Sequence, residues 1–117
     1  MKFESPENTD LLLSKAQKEL LYEKLLEQLD KDFNLSNQIL EIKAGISPFE
    51  LKMELQNKVY QLIQYKFADY LNLLYIIDVP EHEIKSITSI DLVEISQQVT
   101  YLILKREWQK VWFRNRF

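Results

Sequence analysis

The stretch SPFELKMELQNKVYQLIQYKFADYLNLLYIID, residues 47–78, decides the fold. Its start carries several helix signals at once. Ser47 stands at the cap, Pro48 at the first helical position where its missing N–H costs nothing, and Glu50 completes a capping box. Ile46 before the cap and Leu51 after it make a hydrophobic staple. Beyond them Leu55, Val59, Leu62, Ile63, Phe67, Tyr70, Leu71, Leu74 and Ile77 recur at helical spacing. Neither glycine nor proline interrupts before Pro80, which biases Val79 away from helical angles and ends the helix near Asp78. One unbroken helix of about 30 residues, roughly 45 Å long, is expected. Its second half, from Phe67 to Ile77, is apolar on more than one face, so it is expected to lie centrally with neighbours on both sides. Four tyrosines, Tyr60, Tyr65, Tyr70 and Tyr75, come every five residues. Successive rings then point about 140° apart, which rules out a single ladder or cofactor box.

On the N-terminal side, Leu11 to Phe33 reads as another long helix, after a polar, frayed segment over residues 1–9. Leu11, Tyr22, Leu25, Leu26, Leu29 and Phe33 form one apolar stripe; Leu12, Leu13, Ala16 and Leu20 form a second, nearly opposite. Either a bend near Leu20 lets the helix wrap one core, or Leu12, Leu13 and Leu20 meet another chain. Residues 34–46 alternate apolar and polar at Leu40, Ile42, Ala44 and Ile46, but no second strand candidate exists to pair with them. An extended connector packed by its isoleucines is expected, with a short irregular helix or a strand paired with its own copy as alternatives.

On the C-terminal side, Pro80 opens a short helical segment holding His82 and Ile84. A last long helix is expected from Thr88 as cap, with Asp91 three on and Ile87 and Leu92 as a staple. It carries the stripe Leu92, Ile95, Val99, Leu102 and Ile103, then a second of Tyr101, Leu104, Trp108, Val111 and Trp112. The expected architecture is all-α: one domain of three long antiparallel helices and one short connecting helix, a helical bundle. One glycine and three prolines in 117 residues argue for few, long elements.

Composition narrows the chemistry. No cysteine is present, which excludes disulfides, thiolate catalysis and cysteine-based zinc sites. One glycine excludes a glycine-rich phosphate loop. No apolar run reaches the ~18 residues of a membrane span, and residues 1–10 have no signal-peptide core. A cytoplasmic protein is therefore expected. The only histidine, His82, stands between Glu81 and Glu83, which point about 100° to either side of it on a helix and cannot join it at one metal. Glu19, Glu23 and Glu27 lie in one row, but the Glu-x-x-His pairs of helical di-metal centres are missing. No catalytic set, metal site or cofactor is expected.

The net charge of −3 is unevenly spread. Residues 105–117 carry Lys105, Arg106, Lys110, Arg114 and Arg116 against Glu107 alone, a basic tail after an acidic body. Arg106, Lys110 and Arg114 fall four apart and are expected to be exposed, while Trp108 and Trp112 follow the apolar stripe and are expected to be buried. Trp112, Phe113 and Asn115 resemble the Trp-Phe-x-Asn-x-Arg signature of homeodomain recognition helices. The resemblance stops there: Phe117 replaces the final arginine and Pro80 would fall inside the family's first helix. The leading expectation is a non-enzymatic helical interaction protein, a scaffold or adaptor that self-associates as a homodimer through surplus apolar helix faces. The alternative is a nucleic-acid or ribosome-associated protein that grips phosphates with the basic stripe.

Overall fold

The computed structural model describes residues 2–116, and every regular element in them is helical. Six helices follow one another: α1 (Thr9–Lys18), α2 (Tyr22–Leu35), α3 (Pro48–Tyr65), α4 (Phe67–Ile77), α5 (Glu81–Lys85) and α6 (Leu92–Arg114). They form an all-α bundle with a radius of gyration of 13.5 Å.

Two of the three long helices are each broken once. The first breaks at Leu20, whose φ of 59 places it in the left-handed region. The Leu20 amide donates to the Gln17 carbonyl and the Leu21 amide to the Ala16 carbonyl, the paired bonds of a Schellman turn. The bend absorbs the two apolar stripes. Leu12, Leu13 and Ala16 of α1 and Leu25, Leu29 and Phe33 of α2 all lie in the one core. Leu12 and Leu13 are therefore not available to another chain, a correction to the second of the two expectations for this segment. The same turn closes α2, where Asn37 (φ 62) is left-handed and Gln38 N–H reaches Phe33 O, and α4, where Asp78 (φ 69) is left-handed and Val79 N–H reaches Leu74 O. The inference from glycine scarcity to few elements fails for this reason. The chain ends three of its helices in left-handed turns made with Leu, Asn and Asp, and its one glycine, Gly45, takes a fourth left-handed position in the connector.

The stretch 47–78 is not one helix. Its start is as expected, with Ser47 Oγ accepting from Glu50 N–H and the Glu50 carboxylate accepting from Ser47 N–H. At Lys66 the backbone turns to φ −142, ψ 63, while Lys66 N–H still bonds Leu62 O and Tyr70 N–H still bonds Lys66 O. The buried row Leu55, Val59, Leu62 of α3 would run on through Lys66 and Asp69 in a straight helix. The kink leaves both charges exposed and resumes burial at Tyr70, Leu73 and Ile77.

Nor is that stretch the hub. α6 packs against each of the other five helices, and its buried residues, from Ser96 through Trp112, cover a wide arc. α6 starts later than expected: Asp91, not Thr88, caps it, accepting from Val93 N–H. Ile90 is fully exposed, so no staple forms. Residues 36–47 form the extended connector, with Leu40 and Ile46 buried and Tyr22 Oη donating to Ile46 O. Residues 2–8 are tied down rather than frayed. Phe3 packs edge-on against Trp112 at 5.4 Å, Tyr101 Oη donates to Pro6 O, and Asn8 caps α1.

Candidate interaction surface

The basic stripe of α6 is spent inside the chain. Arg106 donates to the backbone and the carboxylate of Asp78, each at 3.1 Å. Lys110 Nζ lies 2.8 Å from Asp32 Oδ2 and 3.0 Å from Glu107 Oε1. Arg114 donates to Gln28 Oε1 at 2.8 Å. The expectation that all three are exposed holds for Arg114, which is exposed and bonded to Gln28, and is corrected for Arg106 and Lys110, which are half-buried with partners. Its physical source is the wide buried arc of α6, which leaves little of the helix circumference for solvent. Trp108 and Trp112 are buried as expected, and the Arg116 guanidinium lies 4.4 Å from the Trp112 ring centre. Leu20 is 89% exposed and alone on its turn.

Beneath Lys110 lies a polar cluster that the sequence does not announce. Asp32 and Gln28 of α2 face Glu107 of α6, all three buried. Gln28 Nε2 donates to Asp32 Oδ2 at 3.0 Å. Neither Glu107 oxygen finds a well-aligned donor, although Lys110 Nζ is near. Burial, and then the Asp32 carboxylate against which it packs, push the Glu107 carboxyl up to about 9. Asp32 moves down: hydrogen bonds from Glu107, Lys110 and Gln28 outweigh the effect of its burial. Near neutral pH the pair thus holds one proton on Glu107 and one negative charge on Asp32, balanced by Lys110. A proton-sharing pair beside a lysine is potential acid–base chemistry, but both carboxyls are buried at the α2–α6 contact.

A cleft of about 520 Å³ lies between the start of α1, α3, α5 and α6. Asn8, Gln56, Gln97, Gln98 and Tyr101 line it, and Asp10 and Lys52 pair across its mouth at 2.8 Å. Ser86 Oγ and Tyr101 Oη, which line it, donate to the backbone carbonyls of Glu83 and Pro6, and His82 is exposed outside it. Among the described residues no group of histidine and acidic side chains could hold a metal ion, and no helix is long and apolar enough to cross a membrane.

What the fold does leave uncovered is the outer face of α4. Phe67, Leu71 and Tyr75, four residues apart, stand 54%, 50% and 80% exposed in one row. Beside them Leu74, Val79 and Ile84 floor a shallow, mainly apolar notch of about 270 Å³. Tyr65 at the kink is exposed as well. Other exposed apolar residues are scattered or diluted. Phe49 and Met53, for instance, share a hollow with Glu50, Glu54 and Lys43. The sequence reading placed Phe67 and Leu71 in the core stripe. The missed signal is Lys66 and Asp69, which continue the true buried row and force the kink that turns Phe67 and Leu71 outward.

No family model, curated protein or solved structure matches this chain.

Proposed function

We propose that this is a non-enzymatic helical interaction protein that self-associates through the outer face of α4. The observation that carries this is the row Phe67, Leu71, Tyr75. Three large apolar side chains on successive turns, continuous with an apolar notch, form the kind of patch that marks a docking surface rather than scattered exposure. Aromatic residues are also the side chains that dominate interface energetics. The buried stripes of α1 and α2 are used within the chain, so the surplus of apolar face that suggested association narrows to α4. We favour this reading over the nucleic-acid alternative because Arg106 and Lys110 already hold Asp78 and Asp32 with Glu107, which leaves Arg114 as the exposed cation of the stripe. The proposal keeps the cytoplasmic setting expected from the sequence, which cell fractionation tests.

Sedimentation velocity over a concentration series tests the reading. The wild-type chain is expected to associate reversibly, and Leu71→Asp to stay monomeric with an unchanged helix signal, since Leu71 is half exposed. A wild-type chain that sediments as a monomer throughout, or a Leu71→Asp variant that associates as well as wild type, would overturn it.

A further inference from the structure

We infer that the α6 face bearing Tyr101, Trp112 and Phe113 is a docking site for an extended acidic peptide with an aromatic residue and, three residues later, a proline. Residues 2–8 occupy it in cis as a displaceable strap. The site stands apart from the outer face of α4.

The occupant is in place, and its chemistry defines the ligand. Phe3 enters an aromatic corner: its ring lies 5.4 Å from Trp112 and 5.9 Å from Phe113, which meet each other edge-on at 5.0 Å. Tyr101 Oη donates to the Pro6 carbonyl. Residues 2–6 have no regular secondary structure, and they run against the direction of α6, from Trp112 back to Tyr101. Those two positions lie on nearly one face of α6, about 16 Å apart. Phe3 to Pro6 reaches at most about 10 Å, so the strap is stretched and the ring lengths close the gap. Phe3 and Pro6 are half-buried, whereas Lys2, Glu4, Ser5 and Glu7 are exposed. Between the anchors the strap bridges rather than packs. It roofs a hollow of about 280 Å³, where Glu4 shares the lining with Lys15 and Lys18 of α1. Those lysines favour an acidic residue after the aromatic one.

Such a strap opens far more easily than the bundle unfolds. Among the described residues, the one hydrogen bond that reaches residues 2–7 is that from Tyr101. A terminal segment with one ring and one hydrogen bond for anchors belongs to the low end of local stabilities. Opening uncovers Trp112, now 7% exposed, beside Phe113, already 40% exposed. A peptide in trans can then take the same anchors, provided it competes with a tethered strap whose effective concentration is on the order of millimolar.

The chain supplies its own probe. A dye-labelled, acetylated peptide of residues 2–8 is titrated into the full-length protein and followed by fluorescence anisotropy. Wild type should bind it weakly because of the strap. Full-length Phe3→Ala, with an unchanged helix signal, should bind it about tenfold or more tightly. A peptide carrying alanine in place of its phenylalanine should bind neither chain. Adding Tyr101→Phe to Phe3→Ala should weaken binding severalfold through loss of the proline-carbonyl bond. A strap with a merely structural role moves none of these readings. A folded Phe3→Ala chain that takes the peptide no better than wild type, or takes the alanine peptide equally well, overturns the site. Should Phe3→Ala lose its helix signal, a chain with both anchors intact decides. A dye on Lys2→Cys, the sole thiol, should gain mobility as unlabelled peptide displaces the strap, and the change should saturate. Anisotropy that stays unchanged up to about 10 mM peptide, well above the strap's effective concentration, overturns the proposal.

Discussion

Glu107 is fully buried on the most contacted helix, between Asp32 and Lys110, and it keeps its proton near neutral pH. Its folded pKa, about 9, lies above the ordinary carboxyl value of 4.5, so the folded chain binds a proton there that the unfolded chain has released. Stability from this group is full below about pH 4.5 and declines as pH rises toward 9, at up to about 1.4 kcal/mol per pH unit. Asp32 works the other way: its lowered pKa contributes stability at neutral pH that is lost as the solution becomes strongly acidic. Glu107→Gln keeps an N–H donor for Asp32 and removes the titration. The variant should match the wild type near pH 5 and exceed it near pH 8 by on the order of 2 kcal/mol or more, with a flatter profile between. Urea unfolding at several pH values checks this. A wild-type profile without decline over that range would mean Glu107 is charged in the folded chain.

At the scale of elements, the start at Ser47 and the bend near Leu20 were legible, whereas the start of α6 and the break at Lys66 were not. The capping box of Ser47 and Glu50 formed as its residue types dictate, because a start is written in side chains that satisfy orphan N–H groups. The breaks at Leu20 and Lys66 use residues with no breaker chemistry, and there tertiary burial overrode local preference. Of the candidate surface, the tryptophans were readable from their stripe. The α4 row was not, because exposure depends on a kink that only the placement of two charges hints at. Leu20 also yields a prediction. A non-glycine residue in the left-handed region carries a strain of roughly 1–2 kcal/mol, and this side chain, being almost wholly exposed, recovers little by packing. Glycine removes the strain but adds unfolded-state freedom worth about 0.5–1 kcal/mol. Leu20→Gly should therefore stabilise the chain slightly, by about 0.5 kcal/mol, seen as a small rise in melting temperature. A clear fall would show that the leucine side chain contributes more than its exposure implies.

Over the whole molecule, the basic tail and acidic body are two halves of one set of contacts. Lys105 pairs with Glu83 before α5 ends, Arg106 with Asp78 at the end of α4, Lys110 with Asp32 on α2, and Arg116 with Glu19 at the end of α1. The last turns of α6 and the residues just after them thus hold four separate segments, and the charge asymmetry that pointed outward to a partner closes largely on the chain itself. The same turns place Trp108, Val111 and Trp112 in the core. The two indoles alone bury on the order of 400 Å², about 10 kcal/mol as an upper estimate. That is comparable with the whole stability of a domain, typically about 5–15 kcal/mol. Ending the chain at Leu104 should therefore abolish the folded bundle rather than trim it. Both tryptophans leave with the deleted segment, so circular dichroism is the appropriate probe. Helical signal should fall by more than the lost residues account for, the tyrosine near-ultraviolet bands should vanish, and heating should give no cooperative transition. A truncated chain that melts cooperatively within a few degrees of the full-length protein would show that α1 to α5 and the first half of α6 form a sufficient core, and that the four ion pairs and two indoles only decorate it.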